Sequence, residues 1–179
     1  MQNKNSEQAA VALGVDPDKV EVIGDPKFDS LQPLTVEDRN RLRKTFLLKE
    51  DTPVWVAGST HTGEEEIILN AHQQLREKYP DLILILAPRR IERINEVVAL
   101  LQKKNLSFAR RSSLEISEPV ILLDTMGELA KVYSLGQMAF IGKSLIEPGG
   151  GHSLIEPLSH GLAVLHGPHI ENIGHVADE

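Results

Sequence analysis

The chain has 179 residues, 41% of them hydrophobic and 25% charged, a globular balance and not that of a disordered polymer. Nineteen Lys and Arg against twenty-six Asp and Glu leave a net charge of −7, which argues against a general electrostatic grip on nucleic acid. There is no cysteine, hence no disulfide scaffold, no cysteine zinc finger and no thiol nucleophile. The longest apolar runs, such as 82–87 (LILILA), fall far short of the roughly 20 residues of a membrane-spanning helix.

In chain order, Ser6 to Leu13 reads as a short helix with Ser6 as N-cap and Gly14 as stop, and Val20 to Ile23 as a short strand before a turn at Asp25-Pro26. Thr35 followed by Asp38 resembles a capping box that opens a helix to about Phe46. Pro53 to Ala57 (PVWVA) is a buried strand, and the Gly58 to Gly63 loop leads into a helix from about Glu64 to Lys78 with Ile67, Ile68, Ala71 and Leu75 inward. Leu82 to Leu86 is a continuous apolar strand, followed by a helix to about Lys104 with Ile94, Val97, Val98 and Leu101 inward. Leu106 to Arg110 and Val120 to Leu123 are strands, and Asp124 to Gly127 opens a helix to about Ser134. Met138 to Ile141 is a strand, Gly142 to Gly151 a glycine-rich loop, Ser153 to Ser159 a short helix and Leu162 to Leu165 a last strand.

This alternation of strand, loop and helix implies βαβ crossovers and an α/β fold, a parallel sheet with helices on both faces. The expected division is residues 51–179 as the α/β domain and residues 1–50 as the end of a preceding domain, a linker or a first βα segment. The abrupt start of helical pattern near Met1 and its interruption after Glu179 suggest a piece of a longer protein.

In such sheets ligands sit beyond the carboxyl ends of the strands. That rule selects Gly58 to Gly63, Pro88 to Arg90, Asp124 to Gly127, Gly142 to His152 and Gly167 to Asn172. Gly58-Ser59-Thr60 ends a strand before a helix, where main-chain N–H groups can face an anion. Arg89 and Arg90 offer planar forks of donors suited to phosphate or carboxylate. Gly149-Gly150-Gly151-His152 lets main chain approach a ligand closely, and Glu156, about one helical turn on, is placed to accept from sugar hydroxyls. Each feature also has a plain structural reading, as a capped turn, a solvated pair of cations or a flexible loop.

Several familiar motifs are absent. Gly136 to Ser144 (GQMAFIGKS) has five residues between its glycines where a phosphate loop needs four. Gly149 and Gly151 are followed by Leu154 where the dinucleotide fingerprint needs a small residue. The seven histidines show no helical metal-binding pair, and no G-x-S-x-G elbow is present.

Four of these segments resemble, in order, the motifs of the Kdo (3-deoxy-D-manno-octulosonic acid) transferases of bacterial lipid A assembly. Ala57 to Glu65 (AGSTHTGEE) is similar to AGSTHPGEE, with Thr62 for Pro. Ala87-Pro88-Arg89 matches APRH, with Arg90 for His, and Asp124 to Leu129 (DTMGEL) matches unchanged. Phe140 to Pro157 is similar to FIGGSL followed by GGHNPLEP, with Ser153 for Asn and Ile155 before Glu156. Upstream, Gly24 to Asp29 (GDPKFD) is similar to GNLKFD.

The resemblance implies a Rossmann-like domain forming the C-terminal, donor-binding half of a GT-B glycosyltransferase. Such enzymes transfer Kdo from CMP-Kdo to the lipid A precursor in lipopolysaccharide biosynthesis, with inversion and without a metal or other cofactor, at the cytoplasmic face of the inner membrane. Carried over by position, the CMP contacts are Arg89, Gly127, Ser153 and Glu156, with Gly58, Ser59 and Thr60 bordering the donor. The family's general base is a Glu of the N-terminal half, near a membrane-anchoring segment, so this stretch is expected to be inactive alone. Another nucleotide- or nucleotide-sugar-binding Rossmann-like enzyme domain, or an interaction module that keeps only the fold, are the alternatives that the residues leave open.

Overall fold

A computed structural model of the chain describes residues 1, 4–24, 26 and 33–177. Asp25 and residues 27–29, and with them the upstream turn and most of the GDPKFD motif, lie outside the described residues.

Helix α1 spans Lys4–Ala12 and α2 spans Val36–Thr45. The Thr35 hydroxyl caps α2 by accepting from the Asp38 N–H at 3.1 Å, as the sequence suggested. Then follow β1 (Val54–Thr60), α3 (Glu64–Lys78), β2 (Ile83–Pro88), α4 (Ile94–Lys103), β3 (Phe108–Arg110) and β4 (Val120–Leu122). The remaining elements are α5 (Leu129–Val132), β5 (Met138–Ile141), α6 (Ile155–Ser159), β6 (Ala163–Leu165) and α7 (Gly174–Ala177). The strands form one six-stranded sheet in the order β3-β4-β2-β1-β5-β6, with every neighbouring pair parallel. This is the α/β, Rossmann-like architecture expected from the alternating pattern.

The apolar runs are continuous because both sheet faces are covered. Side chains alternate across a strand, so Val54 and Val56 join one core while Trp55 and Ala57 join the other. The first core contains Phe46, Ile85, Ile121, Tyr133, Leu135 and Ile141. The second contains Ile68, Leu69, Leu84, Leu86, Val97 and Leu101, beneath α3 and α4. At its centre the Trp55 indole N–H donates to His72 Nδ1 at 3.1 Å. His72 Nε2 therefore carries the proton and donates to the Pro119 carbonyl at 3.0 Å.

Three local expectations are corrected. Val20 to Ile23 is not a strand: it lies exposed, Ile23 N–H bonds the Met1 carbonyl, and no strand of the sheet borders it. Helix α1 begins at Lys4, so Ser6 lies inside it and is not its N-cap. Strand β1 runs on through Gly58, Ser59 and Thr60, so these residues are a strand end and not a loop. The Asp124 to Gly127 turn leads into a helix as expected; it begins at Leu129, after Gly127 at a positive φ of 78° and Glu128, which is drawn into bonds with Arg111 and Thr125.

The buried face of α3 is also rotated from its apolar periodicity. Ile67 is 47% exposed, and Leu75 and Ala71 are exposed, whereas Ile68, Leu69 and His72 are buried together with Glu64 and Glu65. The two glutamates take core positions by finding buried partners, and they set the rotation of the helix. Leu69→Ala should therefore lower the free energy of urea unfolding by about 2–5 kcal/mol, and Ile67→Ala by no more than about 0.5 kcal/mol. Equal losses in the two variants would contradict this rotation.

Candidate functional site

Strand β1 has β2 on one side and β5 on the other, and the chain departs in opposite directions from this centre. The crevice at their carboxyl ends is the topological switch point of the sheet, where ligands of such folds dock. The β1–β2 ladder breaks register between Gly58 and Thr60. Ser59 there adopts a φ of 56°, and Lys143, just after β5, a φ of 63°. Both are non-glycine residues in the left-handed region, a conformation held only where surrounding contacts enforce it.

The enforcing contact is Glu64. Its side chain is fully buried at the start of α3, and its carboxylate accepts four main-chain N–H bonds. Oε2 takes His61 and Lys143, both at 2.8 Å, and Oε1 takes Ser144 at 2.9 Å and Leu145 at 3.0 Å. The loop after β5 is thereby fastened to the loop after β1. The Gly142 N–H also donates to the Gly58 carbonyl at 2.8 Å. Glu65 beside it accepts from the Thr60 hydroxyl at 2.9 Å and from the Arg93 guanidinium at 2.8 and 3.2 Å.

The glycines of the rim meet main chain and side chains at packing distance. A Cβ on Gly142 would lie 2.1 Å from the Ser59 carbonyl oxygen, and one on Gly58 would lie 1.8 Å from the Tyr133 hydroxyl. The triple glycine packs against the loop after β6: a Cβ on Gly149, Gly150 or Gly151 would collide with His169, Asn172 or Ile173 respectively. Close approach is required here as the sequence suggested, but it is the neighbouring loop that comes close.

The residues singled out from sequence fall into two groups. Ser59, Arg89 and Gly127 line one cleft of about 330 Å³, together with Arg90, Thr125 and Met126. Arg89 is exposed there, and no carboxylate among the described residues pairs with it. Thr60 is fully buried with its hydroxyl committed to Glu65, and Gly58 is committed to Tyr133, so both shape the rim from beneath. Ser153 and Glu156 are not among the residues that line this cleft. Ser153 precedes α6 and its hydroxyl accepts from the Ile155 N–H at 3.3 Å. Glu156 lies in the first turn of α6, half-buried, and not a full turn into the helix. The glycines of that segment open on a separate hollow, lined by Glu147, Gly149, Gly150, Glu171 and Asn172.

A histidine pair bridges the two groups. His61 Nε2 and His152 Nε2 lie 2.9 Å apart, with ring planes 22° apart and centroids 5.2 Å apart. Burial, reinforced by the charges of His61, Arg89 and Lys143, pulls the His152 imidazole down to about 4. Burial lowers His61 as well. Reading the sequence missed His61, Glu64, Glu65, Arg93 and Tyr133 as parts of this site. Among the described residues no group of three or more His, Asp or Glu side chains gathers as metal ligands do.

No protein-family model matches the chain. It is 42% identical over 178 residues to a 3-deoxy-D-manno-octulosonic acid transferase of Haemophilus influenzae, covering 96% of this chain and 40% of that protein. It is 32% identical over 180 residues to the transferase of the same name from Chlamydophila psittaci, covering 99% and 41%. Its fold matches the crystal structure of the C-terminal CMP-Kdo binding domain of WaaA from Acinetobacter baumannii with a TM-score of 0.72 at 37% identity, over 79% of this chain and 75% of that one. The chain belongs to the Kdo transferase family. It spans about 40% of the length of these two curated relatives. In this Kdo transferase chain, then, the paired glutamates of the AGSTHTGEE motif serve the architecture of the rim, while Arg89, just after β2, lines the cleft.

Two measurements follow. Glu64→Gln replaces half of a four-fold acceptor by an NH₂ group and strands two buried N–H donors, so unfolding free energy should fall by about 2–5 kcal/mol; an unchanged melting temperature would contradict the fastening role. For pH, burial holds His72 at about 4, as it does His152, while unfolded histidines take a proton near about 6.5. Lowered folded values mean that the unfolded chain binds protons first. The urea midpoint should be level above pH 6.5 and decline from there toward pH 4, already before carboxylates titrate; a level midpoint from pH 7 to 5 would refute it.

Proposed function

We propose that this chain is the donor-binding half of a GT-B Kdo transferase, and that it holds CMP-Kdo in the crevice between β1, β2, β4 and β5. The observation that carries this reading is the convergence of Ser59, Arg89 and Gly127 on one cleft at the carboxyl ends of the central strands, with no carboxylate among the described residues paired with Arg89. The cleft volume falls in the usual range of small-ligand sites. It also fits what the Acinetobacter baumannii domain is described as binding.

The ligand carries a phosphodiester and a sugar carboxylate. Arg89 supplies a planar pair of donors to one of these anions, with the Lys143 ammonium nearby. The Gly127 main chain and the Ser59 and Ser153 hydroxyls add neutral contacts. Glu156 accepts from ribose hydroxyls. Gly58 and Thr60 keep the β1 end in position.

In the transfer, the acceptor hydroxyl oxygen forms a bond to the anomeric carbon of Kdo from the face opposite CMP. The bond from that carbon to the phosphate oxygen breaks, and the acceptor's proton leaves to a base. The phosphate goes from one negative charge to two as CMP departs, so Arg89 and Lys143 bind the leaving group more strongly than the intact donor. That difference accelerates the step. The base, the lipid A precursor site and the attachment to the cytoplasmic face of the inner membrane are assigned to parts of the full protein beyond this chain. This chain alone is expected to bind the donor without turning it over.

Titration of the folded chain with CMP should give saturable binding. Arg89→Ala and Glu156→Ala should each weaken it about tenfold or more, equivalent to at least ~1.4 kcal/mol, with unchanged melting temperatures. Absence of CMP binding by the folded chain, or tighter binding of NAD or a UDP-sugar, would refute the reading.

A further inference from the structure

We infer that the His61–His152 pair is a proton-linked anion ligand: it takes up one proton as a phosphodiester docks in the crevice and turns an imidazolium toward it. The inference rests on the donor reading above and adds to it a contact, a charge state and a pH dependence.

The geometry supplies the first argument. A hydrogen bond between two Nε2 atoms at 2.9 Å needs one protonated and one bare nitrogen. In the neutral pair, the donor ring keeps a bare Nδ1. One further proton can go there with the bridge intact, because the donor ring then holds both of its protons and still donates through Nε2. A second further proton would fall on the bridging nitrogen of the other ring and break the contact. The pair is therefore built to change charge by one.

The surroundings supply the second. On the loop after β1 and the start of α3, His61 is faced by Glu64 and Glu65; from the segment after β2 come Arg89 and Arg93; from the loop after β5 comes Lys143. Glu64 is saturated by four main-chain N–H groups, and Glu65 is occupied by Arg93 and Thr60. Among the described residues, Arg89 and Lys143 have no carboxylate partner. In the free crevice burial keeps both imidazoles neutral, and at His152 the charges of Arg89 and Lys143 repel an added proton more than Glu64 attracts it. A docked phosphodiester removes that repulsion and supplies an acceptor, both of which favour the imidazolium.

The probe is the methyl ester of CMP, a cytidine phosphodiester whose own charge does not change between pH 5 and 8. Calorimetric titration of the whole chain in buffers of different ionisation enthalpy counts the protons taken up. The expected result is uptake of a fraction of a proton rising toward one, with affinity tightening about tenfold between pH 7.5 and 6. His152→Gln and His61→Gln should each abolish both the uptake and the slope; two variants guard against one failing to fold. Binding of the wild type with no proton uptake and no pH slope overturns this inference and leaves the donor reading standing. Uptake that persists in both folded variants also overturns it. No binding at any pH removes the donor reading itself.

Discussion

A buried carboxylate can be tolerated only where its oxygens are satisfied, and Glu64 meets that condition entirely with main-chain donors from two loops. Through it, the residue after β1 and three consecutive residues after β5 are held to one point at the amino end of α3. The requirement is mutual. Without Glu64 the N–H groups of Lys143, Ser144 and Leu145 would be left without their acceptor, and without the loop Glu64 would be an unpaired buried charge. The crevice at the centre of the sheet takes its shape from this contact.

Tight packing of main chain on main chain follows from it. Ser144, drawn inward by Glu64, donates its hydroxyl to the Ile141 carbonyl at 2.6 Å and accepts from the Gly167 N–H at 2.9 Å, so the loop after β6 is fastened in turn. Gly167 permits that approach, since a Cβ there would lie 2.1 Å from the Ser144 carbonyl oxygen. Next to it the Gly151 N–H reaches the Lys143 carbonyl at 2.8 Å. The rim is a stack of successive loops at contact distance, each fastened to its neighbour by one or two hydrogen bonds. A site of this kind is organised before any ligand arrives, which is the condition for electrostatic stabilisation without reorganisation.

Polar residues around the crevice divide accordingly. Thr60, Glu64, Glu65, Arg93 and Ser144 spend their bonding capacity inside the protein. Among the described residues, the side chains of Arg89, Lys143 and the half-buried Glu156 form no ion pair. The first set is architecture and the second is available to a ligand. The two histidines stand between them, bonded to each other and exposed to the field of the second set. Motif spacing places both sets in the same short segments and does not distinguish them.

Element type and the parallel sheet were legible in the residues themselves. Continuous apolar runs such as 83–86 mark strands covered on both faces, the Thr35 cap marks the start of α2, and the regular alternation forces crossovers of one hand. The family was legible too, because its motifs cluster at strand ends. Hidden from sequence were the rotation of α3, the position of Val20 to Ile23 outside the sheet, and the structural role of Glu64. Periodicity assigns buried faces by apolarity alone, whereas Glu64 and Glu65 are buried because their partners arrive from Lys143 to Leu145 and from Arg93, up to 81 residues away. Local propensity and spacing thus determined the strands and helices of the sheet region and where its connecting loops fall. Only the tertiary structure decided which polar side chains those loops consume, since that depends on donors and acceptors brought together from distant parts of the chain.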